Sequence, residues 1–119
     1  MDKRPKTIFC DIDGTLVKHS IPSQASLPSH KMELLPGTIE KLSEWDSLGY
    51  TIILVTGRKE SLRSVTEKQL SEVGIFYDKL IMGIGSGERI LINDKKPNGT
   101  ITAHSINLKR NHGLTEIKI

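Results

Sequence analysis

The chain reads as an α/β domain built on a doubly wound, mainly parallel sheet. Two observations lead there. Short apolar runs alternate with helical patterns, in the order strand, helix, strand, helix, then strands, which is the order of a parallel sheet with covering helices. Thr51-Ile52-Ile53-Leu54-Val55 is apolar without alternation, as in a strand buried on both faces. The 119 residues are one domain's worth, residues 1–119, and enough for a core without staples.

Each element has its own signature. Thr7-Ile8-Phe9-Cys10 is β-branched and apolar, and carboxylates and Gly14 follow at once, so it reads as a buried strand ending in a tight loop. Residues 17–36 lack a clear period and hold Pro22, Pro28 and Pro36, which makes them loop with room for a short hairpin. Leu35, Ile39, Leu42, Trp45 and Leu48 recur at helical spacing, and Gly49 sits where a helix C-cap belongs. Leu62, Val65, Gln69, Leu70 and Val73 mark a second amphipathic helix closed by Gly74. Leu80-Ile81-Met82 and Arg89-Ile90-Leu91-Ile92 read as two further strands around a glycine-rich turn, Gly83 to Gly87, and Thr102 to Leu108 as a final one.

Composition narrows the function classes. Apolar residues are 36% and charged residues 26%, which argues against a disordered tail and a membrane protein. The longest run of large apolar residues, Ile52 to Val55, is far short of the ~20 that a spanning helix needs. The start of the sequence is basic and lacks the apolar stretch of a signal peptide. A lone Cys10 removes any internal disulfide framework and points to the cytoplasm. Seventeen Lys and Arg against fourteen Asp and Glu give only +3, spread in short clusters, and aromatics are 4%. Concentrated charge and stacking rings, the marks of a nucleic-acid binder, are missing; a small anionic substrate fits as well.

The chemistry gathers where strands end, because ligands of open parallel sheets bind beyond the carboxyl ends of the strands. Three expected strand ends are polar and reactive: Asp11-Ile12-Asp13-Gly14-Thr15, Thr56-Gly57-Arg58 and Asn93-Asp94-Lys95-Lys96. Placed on one edge, their carboxylates repel unless a cation or a proton intervenes. Oxygen ligands of this kind suit Mg²⁺, which leaves positions for phosphate oxygens. Asp11 can attack phosphorus to form an aspartyl phosphate, and Asp13 can protonate the leaving oxygen and then activate water. The Thr56 hydroxyl and the amides around Gly57 can hold phosphoryl oxygens, and Asp94 completes a metal site.

These residues resemble a known family. Ile8-Phe9-Cys10-Asp11-Ile12-Asp13-Gly14-Thr15-Leu16 looks like the first motif of the haloacid dehalogenase superfamily, Val55-Thr56-Gly57-Arg58 like its second, and Ile92-Asn93-Asp94 like its fourth. The resemblance spans residues 7–98, and the whole chain is similar to the small phosphatase-like members found with capsule and surface-polysaccharide biosynthesis. It implies a Rossmann-like core, Asp11 as nucleophile and Asp13 as acid and base. It also implies Mg²⁺ held by Asp11, the Asp13 main-chain carbonyl and Asp94, with Asn93 where many relatives carry another acid. The second aspartate points to phosphatases or phosphomutases. Relatives insert cap domains after the first motif or between the second and third, and neither stretch is long enough here, so the expectation is a capless enzyme. A mutase must enclose its intermediate, so a phosphatase acting on a sugar or sugar-acid phosphate is preferred.

The third-motif lysine of such relatives falls about where Ile84 stands. Lys96 is the expected replacement at the phosphate, ahead of Lys95 and Arg58, while Lys79 and Arg89 begin strands and so belong to the opposite edge. An open site also admits a polynucleotide terminus, and a neighbouring subunit of a homo-oligomer could close it. A catalytically weak phosphate-binding protein is a further alternative. A receiver-type signalling domain would need a carboxylate after the third strand, where Met82-Gly83 stands. Cys10 reads as a small buried hydrophobe, since no arginine follows six positions on.

Overall fold

The computed structural model describes residues 3–119. Its sheet has three parallel strands, β1 (Thr7–Asp11), β2 (Thr51–Val55) and β3 (Lys79–Ile81), in the order β1-β2-β3. Asp11 is level with Val55 and Val55 with Ile81, so the strands end in step. Beyond the last register pair, the Thr56 N–H still donates to the Ile81 carbonyl at 3.0 Å.

Between β1 and β2 lie α1 (Pro22–Ala25) and α2 (Thr38–Ser47); between β2 and β3 lie a 3₁₀ turn (Glu60–Leu62) and α3 (Arg63–Glu72). Both long helices form where the apolar period places them. Gly49 and Gly74 follow them with φ of 76° and 78°, the left-handed conformation that a helix-ending glycine tolerates. Ile12, Leu16, Leu42, Trp45, Ile52, Leu54, Leu70 and Leu114 form the heart of the core. Leu48, at the end of the helical stripe, stays exposed at 54% because the helix stops one residue before it. Residues 17–36 carry a single antiparallel bridge, Val17 to Leu34, so the hairpin reading holds in its simplest form.

Two expected strands are absent. Among the described residues Arg89-Ile90-Leu91-Ile92 pairs with no strand, Thr102 to Leu108 is irregular, and a bridge joins Lys95 to Ile101. Nearly every residue from 83 to 112 is exposed. The β-branched composition was the right signal for a strand, but a strand also needs a neighbour, and β1 remains the outer strand with Phe9 57% exposed. The radius of gyration is 15.1 Å, against ~13.5 Å for a compact chain of this length. The domain therefore has a packed body and an extended arm. Among the described residues no helix is long and apolar enough to cross a membrane.

Candidate active site

β1 delivers Asp11 to the carboxyl edge, and the chain then turns tightly. Ile12 is fully buried, and its carbonyl accepts from the N–H groups of Thr15, Leu16 and Val17. Gly14 has φ 85°, and its N–H donates to the Val17 carbonyl at 2.7 Å. The turn is also held from outside: the Asn111 N–H donates to the Gly14 carbonyl at 2.8 Å, and the His19 N–H donates to Asn111 Oδ1 at 2.8 Å. A Cβ on Gly14 would come within 3.1 Å of Arg110 Cγ, so this arginine lies directly over the turn that follows the two aspartates.

Asp11 is open to solvent as a residue, yet partial desolvation of its carboxyl raises its pKa above the ordinary value, and the charge of Asp13 adds to the rise. The Ile12 amide, Arg89 and the Thr15 hydroxyl, which donates to Oδ2 at 3.5 Å, act in the opposite direction. The charge of Arg89 thus reaches the first aspartate, although the expected strand would have started with it on the opposite edge. Cys10 is a buried hydrophobe as expected, its thiol pKa pushed up to about 12 by burial and then by Asp11.

Asp13 is gripped by Arg58. The guanidinium donates from Nε to Oδ2 at 2.9 Å and from Nη2 to Oδ1 at 2.8 Å, a bidentate pair whose side chains are 9% and 21% exposed. The same arginine donates to Gln69 Oε1 at 2.7 Å and to Thr66 Oγ1 at 3.3 Å, both on α3. Gln69 in turn donates to the carbonyls of Ala25 and Leu27. One polar chain therefore runs from Asp13 through α3 to the loop around α1. Arg58, one of the candidate phosphate cations, is paired with Asp13 in this structure. The signal was in the sequence: Gln69 falls on the apolar stripe of α3, where a buried amide needs partners.

Thr56 is 2% exposed and caps its own turn, its hydroxyl accepting the Arg58 N–H at 3.1 Å. Gly57 is required sterically: a Cβ there would lie 2.7 Å from the Gly85 carbonyl oxygen. The segment after β3 is laid across this turn, with the Gly83 N–H donating to the Arg58 carbonyl and the Ile84 N–H to that of Thr56.

The remaining expected site residues are not gathered. Asn93 donates to the Asp94 carbonyl and to Thr102 Oγ1, and the Lys96 N–H donates to the Thr100 carbonyl, all within the arm. Among the described residues no three His, Cys, Asp or Glu side chains come together as a metal site.

The family model described as HAD superfamily, subfamily IIIB (acid phosphatase) matches residues 24–103. The chain belongs to this family. The match includes Thr56-Gly57-Arg58 and Asn93-Asp94 and begins after the Asp11 and Asp13 turn. The domain is thus a phosphatase by family, with the expected α/β core and superfamily. It is similar to a chain of the Pnkp1/Rnl/Hen1 complex, with 29% identity and a TM-score of 0.57 over 72% of this chain and 30% of that one. It is also similar to a chain of the Pnkp1/Rnl/Hen1 RNA repair complex, with 31% identity and a TM-score of 0.55 over 66% and 25%. A protein from Vibrio cholerae shares the fold, with 21% identity and a TM-score of 0.52 over 75% and 79%. The chain spans less than a third of the length of the two RNA repair chains. No curated protein matches it.

Proposed function

We propose that the domain hydrolyses phosphomonoesters with Asp11 as the nucleophile, and that its substrate is a small phosphorylated metabolite such as a sugar or sugar-acid phosphate. The observation that carries this is the pairing of Asp11, beside the Thr56–Gly57 turn, with an Asp13 fixed by Arg58. An Asp11 carboxylate oxygen bonds to phosphorus as the bond to the leaving oxygen breaks, and that oxygen takes up a proton. Water then attacks the aspartyl phosphate, releases phosphate and returns the carboxylate. Asp13 is the group placed to give and take the proton, and to do so one carboxylate oxygen must exchange an Arg58 bond for the substrate. Arg110 over the Gly14 turn and the charge of Arg89, which acts on Asp11, add positive charge to that expected of Lys96. Asp11, the Asp13 main-chain carbonyl, Asp94 and Asn93 are the residues that would hold Mg²⁺, which would offset the charge on the nucleophile and the phosphate.

A second reading is a phosphatase acting on a polynucleotide end. It is supported by the two similar chains from RNA repair complexes and by the open site. Phosphate release from phosphorylated sugars and from an end-phosphorylated RNA oligonucleotide, wild type against Asp11→Asn, separates the readings. Equal release by wild type and variant on both substrates rejects Asp11 as the nucleophile.

A further inference from the structure

Gln69 is a polar side chain on the buried face of α3, next to Leu70, and only 1% exposed. A glutamine there costs stability unless both ends of its amide find partners. Both do. Nε2 donates to the Ala25 carbonyl at 2.9 Å and to the Leu27 carbonyl at 3.2 Å, while Oε1 accepts from Arg58 Nη1 at 2.7 Å. With its N–H groups directed at two carbonyls, the amide has one orientation, and its oxygen faces the guanidinium. The loop that offers the carbonyls is itself tied to α3, by Lys31 Nζ donating to Glu72 Oε2 at 2.7 Å.

The guanidinium is held from two sides. Nε and Nη2 donate to Asp13, and Nη1 donates to Gln69 and, at 3.3 Å, to Thr66 Oγ1. The two acceptors on α3 are neutral. They fix the plane of the fork without competing for its charge, which is left to Asp13. A carboxylate in place of Gln69 would compete for it, and would leave the two carbonyls without their donor. When one Asp13 oxygen exchanges Arg58 for the substrate, the guanidinium stays in place, and the carboxylate pivots on its remaining bond.

We infer that Gln69 is a positioning residue for the reaction: anchored on the main chain of residues 25 and 27, its neutral amide holds Arg58 so that the Asp13 carboxylate is aimed at the leaving oxygen. The inference rests on the phosphatase reading, in which Asp13 protonates that oxygen. Its effect therefore depends on the leaving group. The oxygen of a sugar needs the proton, whereas nitrophenolate departs without it.

The test measures kcat/KM, which covers the steps up to departure of the leaving group, on a sugar phosphate and on nitrophenyl phosphate. Gln69→Met, a side chain of similar length, is expected to lower it about 10- to 100-fold on the sugar phosphate and less than about 3-fold on the nitrophenyl ester. Added to Asp13→Asn, it should lower the sugar phosphate value no further, because it acts through Asp13. Gln69→Glu should show the same split as Gln69→Met, although it keeps an acceptor for Arg58. Where circular dichroism shows that Gln69→Met does not fold, Thr66→Val, which keeps the side chain's shape, should give the split at about 2- to 5-fold. Equal losses on the two esters, wild-type values in Gln69→Glu, or a further loss beside Asp13→Asn overturn the inference. The Arg58 Nε–H resonance reads the same link without activity: it is expected to be protected from solvent exchange in wild type and to lose that protection in Gln69→Met, and an unchanged signal overturns the inference. If wild type hydrolyses neither ester, the phosphatase reading fails instead, and this resonance still decides whether Gln69 holds the pair.

Discussion

The body and the arm differ in what holds their functional residues. In the body, Asp13 is fixed by a bidentate arginine, which is fixed by a glutamine, which is fixed by two backbone carbonyls, and each link is mostly buried. In the arm, Asn93 and Lys96 meet only their near neighbours in sequence, and the apolar residues before them face solvent. Position in a fold is a property of the shell around a residue, and two stretches with equally strong motifs can differ completely in that shell.

The strongest test of the body is Asp11→Asn. Loss of the nucleophile is expected to lower turnover by at least about 10³-fold. The same change should stabilise the domain. The folded-state pKa of Asp11 is raised above the ordinary 3.8, so the cost of ionising it is absent well below that pH and grows as pH rises through the shifted value. Thermal melts in chelator should therefore show the variant above wild type at neutral pH and level with it in acid. A variant that melts below wild type at neutral pH would show that Asp11 is not strained by its surroundings.

Arg58→Ala probes the link between Asp13 and α3. It leaves the Asp13 carboxylate partnerless, along with Gln69 Oε1 inside the core, so a loss of about 3–5 kcal/mol in denaturant unfolding is expected. Arg58→Lys keeps the charge but not the fork. It should recover part of the stability while turnover stays roughly 10- to 100-fold down, because Asp13 is no longer oriented. Full recovery of turnover by lysine would mean that charge alone is required.

What was legible in the sequence divides along the same line. Every element of the body announces itself through burial: the continuous run of β2, the apolar periods of α2 and α3, and the glycines that end them. Strand ends then follow from topology, which puts Asp11 level with Thr56's neighbour Val55. The Arg58 pairing is harder to read, because its partners, Asp13, Thr66 and Gln69, lie on other elements and a side chain's choice among several acceptors is a matter of distance. The arm was misjudged for a different reason. Residues 89–92 have the composition of a strand, but composition states only that a strand can form; the seven residues before it state where it can go.

The acid limb of the pH–rate profile sharpens the comparison further, since Arg89 belongs to the arm by sequence and to the site by electrostatics. Its charge lowers the Asp11 pKa against burial and Asp13. Attack needs the ionised carboxylate, so Arg89→Gln should move the limb of kcat/KM to higher pH. An unmoved limb would detach Arg89 from the site.

The smallest expected effect is the most direct comparison. Leu54 is fully buried in β2 and Leu91 is 64% exposed in the arm. Leu54→Ala removes packed methyl groups and leaves a cavity, a loss of about 2–5 kcal/mol in urea unfolding. Leu91→Ala removes atoms already in water, so the same measurement, made dilute enough that chains are single, should change by less than about 0.5 kcal/mol. A Leu91→Ala loss as large as that of Leu54→Ala in the dilute chain would mean that the arm packs on its own body, and the division of the molecule into body and arm would fall.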